Sequence, residues 1–160
     1  MRALVGLSAV SLLVLLTGCG ARQPAAATTS SSSTASLAAA LPNFADLDVV
    51  SCAYTASQSR TGARGVPAPS DTMLELVGHV VLSEAAARRL RDEGNWQSIE
   101  RTRVPEALRG LLPDGQPMVS APLNETFSKN ATYAHGCVVA MDDDVRTLYF
   151  LARDRDHPIE

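Results

Sequence analysis

Apolar and polar positions divide the chain into three stretches. Behind the single positive charge of Arg2, Ala3–Leu16 is a mainly apolar, uncharged run of fourteen residues. From Gly20 to Phe44 no apolar period is read, and nineteen of the 25 residues are Gly, Ala, Ser, Thr or Pro. Beyond Asp46, apolar residues alternate with polar ones or recur at helical spacing, and turn residues punctuate them.

The third stretch predicts a set of elements. Leu47–Thr55 is rich in β-branched and aromatic residues and reads as a strand. Gln58–Ser70 holds Gly62, Gly65, Pro67 and Pro69 and reads as a loop. Met73–Leu82 is apolar on both faces except at Glu75 and His79, the pattern of a strand with a neighbour on either side. Ser83 is placed to cap a helix over Glu84–Glu93, with Gly94 as its stop. Pro105 opens a short helix reaching Leu112, closed by Pro113-Asp114-Gly115. Tyr133–Met141 and Val145–Ala152 read as a hairpin around the acidic turn Asp142-Asp143-Asp144. The resulting fold class is α+β: a mainly antiparallel sheet with one or two helices packed on one face. Residues 46–160 are expected to form this single domain, without internal repeats.

The first two stretches predict how that domain is delivered. A fourteen-residue apolar run has the length of a signal peptide, whereas a membrane-spanning helix needs about 20 apolar residues. Its end, Leu16-Thr17-Gly18-Cys19, resembles the lipobox of bacterial lipoproteins. That resemblance implies cleavage before Cys19, thioether linkage of its thiol to diacylglycerol, and display on the extracytoplasmic face of the cell membrane. Two acyl chains hold a protein stably where one holds it marginally. Residues 19–45 are then expected to be the lipidated cysteine and a flexible tether, because their composition offers little surface to bury against the entropy of ordering.

Composition adds exclusions. The 160 residues are 46% apolar and 19% charged, with a net charge of −3, which argues against nucleic acid as a partner and against a polybasic membrane surface. With Cys19 assigned to lipid, Cys52 and Cys137 remain, each inside a predicted strand. In an exported domain the pair suggests a disulfide; the alternative is two buried, reduced thiols acting as small hydrophobes. No Cys-x-x-Cys spacing suggests redox activity.

Candidate chemistry is sparse. His79 and His135 with acidic residues could hold zinc and activate a water, but His-Glu-x-x-His is absent and no third ligand stands out. Asp142–Asp144 lack the spacing of a calcium loop and read as a solvated turn. Asn124-Glu125-Thr126 and Asn130-Ala131-Thr132 match glycosylation acceptors, a pattern frequent by chance. The Gly-x-Ser-x-Gly, Walker and dinucleotide glycine patterns are missing, and no cofactor is implied. Arg88, Arg89 and Arg91 interleave with Glu84, Asp92 and Glu93 and read as a solvated helix face, while Trp96 is either a core anchor or a contact hot spot. Val66-Pro67-Ala68-Pro69-Ser70-Asp71-Thr72, Trp96 and Thr147-Leu148-Tyr149-Phe150 resemble small exported domains of high-GC bacteria, a group that brings no activity or site residues. The reading is a non-enzymatic, membrane-anchored module that binds a protein, an envelope polymer or a small ligand. A metal-dependent hydrolase using His79 or His135 is the alternative.

Overall fold

The computed structural model describes residues 27–60, 72–129, 136–141 and 146–154. Seven strands among them form one sheet: β1 (Ala27–Ser31), β2 (Val49–Arg60), β3 (Thr72–Leu82), β4 (Gln97–Ser98), β5 (Met118–Val119), β6 (Gly136–Met141) and β7 (Thr147–Arg153). Their order is β1-β2-β3-β7-β6-β5-β4, and every neighbouring pair is antiparallel. Four helices accompany it: α1 (Thr34–Ala40), α2 (Glu84–Glu93), α3 (Glu106–Arg109) and α4 (Ala121–Ser128). The protein is an α+β fold dominated by its sheet.

Several local signals act as expected. β3 lies between β2 and β7, as its pattern predicts, with Leu76 and Val80 packed in the core on one face and Val77 packed against the cluster on the other. The Ser83 hydroxyl accepts the Ala86 N–H at 3.2 Å and caps α2, which ends at Gly94. β6 and β7 pair as a hairpin, Met141 opposite Leu148; the acidic turn and residues 133–135 lie outside the described residues. Pro105 caps α3, which is shorter than expected and ends at Arg109. β2 runs past Thr55 to Arg60 through polar Ser57-Gln58-Ser59, because β1 and β3 pair with it on either side.

The expected tether over residues 19–45 is corrected from residue 27 onward. β1 pairs with β2, and Ser33 caps α1 by accepting the Ser36 N–H at 3.2 Å. Leu37, Leu41 and Phe44 are then buried at 1%, 1% and 3% exposure, Phe44 from a 3₁₀ turn at Pro42–Phe44. Their spacing, i, i+4 and i+7, is a helical apolar stripe.

Strand alternation sends side chains to two faces. One buries Cys52, Tyr54, Leu76, Val80, Leu148, Phe150, Ala152, Cys137 and Val139 in a common cluster with Leu37 of α1, Leu41 just after it, Ala86, Ala87 and Leu90 of α2, and Phe127 of α4. The ring of Phe44 lies 4.9 Å from those of Phe127 and Phe150. Gly78 faces Tyr54 in this layer, where an added Cβ would come within 2.5 Å of the Tyr54 Cβ; only glycine lets the two strands meet there. The other face buries Ala140 and Leu151 under Val104, Leu108 and Leu112, from α3 and its flanks. Helices therefore cover both faces, not one, because β3, β6 and β7 present apolar residues on both.

Candidate functional site: the open half of the second face

The cover on the second face is a short segment held by two arginines. Arg101 donates to the carbonyls of Arg109 at 3.1 Å, Leu112 at 2.8 Å and Pro113 at 2.6 Å. Arg109 donates to the carbonyls of Thr102 at 3.1 Å and Val104 at 2.9 Å. These charge-assisted bonds close a compact loop on itself, so little chain remains to extend sideways. The segment covers β6 and β7, and Leu111, 41% exposed, stands at its margin.

Beyond that margin the outer surface of β1 and β2 is open, with half-buried Val77 and His79 of β3 at its border. A groove of about 490 Å³ lies there, lined by Ser30, Ala53, Thr55, Val77, His79 and Leu111 among others. Period-2 alternation puts Ala53 and Thr55 of β2 and Val77 and His79 of β3 on the same face as Leu151. The hydroxyls of Ser30 and Thr55 lie 3.5 Å apart across β1 and β2. The His79 ring is 5.9 Å from that of Tyr149, tilted by 49°. Small residues at Ala53 and Thr55 create the depression, and Leu111 supplies one apolar wall. Farther along the same face, Glu75 and Arg153 form a largely buried ion pair at 2.8 Å. The groove thus offers hydroxyls, an imidazole and a strip of apolar carbon, within the size range of ligand sites. The sequence reading singled out His79 but missed Ser30, Thr55 and Leu111. The available signal was the small or polar run at alternate positions Ser51, Ala53, Thr55, Ser57 and Ser59.

The two cysteines do not meet, which corrects the expected disulfide. Both are buried and free. β3 and β7 intervene between β2, which carries Cys52, and β6, which carries Cys137. Three interstrand steps of about 4.8 Å make roughly 14 Å, well beyond the ~7 Å that a bridge spans. The alternative holds: they pack as small hydrophobes. Burial pushes the Cys137 thiol up to about 12 from 9.0, and raises that of Cys52.

Other candidates resolve into structural roles. The Asn124 side-chain oxygen accepts the Val139 N–H at 2.8 Å, and the Ser128 hydroxyl accepts the Cys137 N–H at 2.8 Å. One face of α4 therefore takes the place of a neighbouring strand along β6, which accounts for Asn124. Trp96 is a core anchor: half-buried, it donates its indole N–H to the Leu90 carbonyl at 2.8 Å and closes the end of α2. Arg88 pairs with Glu84 at 2.8 Å on an exposed helix face. Among the described residues, no three His, Cys, Asp or Glu side chains gather as a metal site, and no helix is long and apolar enough to cross a membrane. Cys19, Asn130, His135 and Asp142–Asp144 lie outside the described residues. No protein-family model matches the chain, and comparison with curated proteins and with solved structures gave no match.

Proposed function

We propose that this protein is a non-enzymatic lipoprotein, anchored through Cys19 to the extracytoplasmic face of the cell membrane, which displays a binding domain. The open half of the second face is its ligand surface. The observation that carries the reading is the unequal covering of one sheet: α1, α2 and α4 pack against the strands on the first face, where a groove of about 570 Å³ lies between α1 and Phe44–Val49, whereas on the second face a groove of about 490 Å³ opens directly onto the strands. Leu16-Thr17-Gly18-Cys19 supports the anchor. Because β1 begins at Ala27, seven residues lie between it and Cys19. At 3.3–3.6 Å per residue the eight steps from Cys19 to Ala27 span at most roughly 26–29 Å, so the domain works close to the membrane.

The test is site-specific photocrosslinking on intact cells of the native host. A photoreactive residue at Thr55 should give a discrete adduct with a protein, a glycan or a small molecule. The same residue at Glu93, exposed on α2, should not. Equal adduct patterns from both positions would overturn the reading. Cys19→Ser should abolish lipidation, seen as the loss of lipid mass; retained lipid would remove the anchor from it.

A further inference from the structure

We propose that β1 is an exchangeable strand, which leaves the edge of β2 in its own chain and is replaced there by β1 of a second copy. The basis is an abrupt change in how the chain is held. Thr28, Thr29 and Ser30 are exposed and Ser31 is half-buried, so residues 28–31 add no apolar side chain to the core. It is held by the backbone ladder from Ala27 opposite Gln58 to Ser31 opposite Tyr54, and by the long Ser30–Thr55 hydroxyl contact. Few buried contacts and solvent-facing backbone bonds mark a segment that opens locally without global unfolding.

Opening has a defined limit. Ser33 caps α1, and Leu37 and Leu41 are buried at 1% immediately beyond it. Release therefore stops at Ser32–Ser33, which forms the hinge. The vacated edge of β2 offers Tyr54-Thr55-Ala56-Ser57-Gln58, without a charge, and β1 itself, Ala27-Thr28-Thr29-Ser30-Ser31, is also uncharged. Two copies thus meet there without like-charge repulsion. A second β1 remakes the same register with the same residues, so the exchange needs no new complementarity. Confinement of copies to one membrane surface, as the proposed anchor provides, raises their effective concentration. The exchange itself does not depend on that anchor.

The test uses the full chain carrying Ser30→Cys and Thr55→Cys, whose native hydroxyls lie 3.5 Å apart. Chains labelled with ¹⁴N and ¹⁵N are mixed, incubated at a series of concentrations and oxidised, and bridged peptides are read by mass spectrometry. Exchange predicts mixed-isotope bridges that approach half of all bridges at the highest concentrations and decline on dilution before oxidation. Bridges that remain single-isotope at every concentration overturn it. Hydrogen exchange on the unsubstituted chain gives an independent reading. Amides of Thr28–Ser31 should exchange at least about a hundredfold faster than those of Leu76–Val80 in β3, and equal protection overturns the proposal. Fast exchange without mixed bridges also overturns it, and leaves the vacated edge to a strand from another protein.

Discussion

The two faces of the sheet show how unevenly one set of strands can be covered. On the first face, residues from seven elements and the 3₁₀ turn interlock around Phe150, which is fully buried against Phe44. On the second, burial is concentrated over β6 and β7, where Leu108 and Leu112 meet Ala140 and Leu151. The rest of that face, over β1 and β2, carries Ser, Thr and Ala and stays open. Stability therefore resides in the first face and half of the second, and the remaining surface contributes little to it.

Substitutions can break that contrast or sharpen it. Phe150→Ala should have the largest effect, about 3–5 kcal/mol lost, since an aromatic ring is removed from a fully buried site against Phe44. Leu108→Ala should cost about 2–5 kcal/mol and show that the covered half of the second face is a second core. Urea denaturation reads both, and an effect below 1 kcal/mol at Phe150 would break the contrast. Asn124→Ala leaves the Val139 N–H without its acceptor and should cost about 1–3 kcal/mol, with faster hydrogen exchange confined to β6.

Cys137 gives a pH test of the buried layer. Burial raises its thiol to about 12 in the folded chain, against 9.0 as the ordinary value. The unfolded chain ionises first, so the contribution is fully present below pH 9 and is lost as pH rises toward 12. The loss has a slope of about 1.4 kcal/mol per pH unit for one thiol. Cys137→Ala lowers stability at neutral pH but should flatten that slope, as stability measured from pH 8 to 11 would show. The smallest effect belongs to the open half: Thr55→Ala should change stability by no more than about 0.5 kcal/mol, as for a surface site outside the core.

Elements whose signals are local were legible in the sequence. Ser83 and Gly94 bound α2, and β3 reads as central because its sequence is apolar at nearly every position, which matches its place between β2 and β7. α1 was hidden by composition, since Leu37, Leu41 and Phe44 form a regular stripe within a background so rich in Ala and Ser that it reads as linker. α4, capped by Ser120 and opening Ala121-Pro122, has one buried apolar residue, Phe127, and places Asn124 and Ser128 as hydrogen-bond acceptors for the N–H groups of β6. Such long-range polar pairing leaves no periodic trace. The same holds for the cysteines: their strands were visible, but the order that puts β3 and β7 between them was not. Of the groove, only His79 was marked, because Thr55 and Leu111 become neighbours through the arginine-clasped loop.

The division between a covered face and a displayed one is tested most directly by carbene footprinting of the protein, purified and then on intact cells. In the purified protein, label should fall on Ala53, Thr55, His79 and Leu111 and spare Val139, Phe150 and Leu151. On cells the first group should become shielded while exposed Glu93 and Arg91 of α2 keep their label. Open-half residues that are already protected in the purified protein, or labelled equally in both settings, would contradict the account.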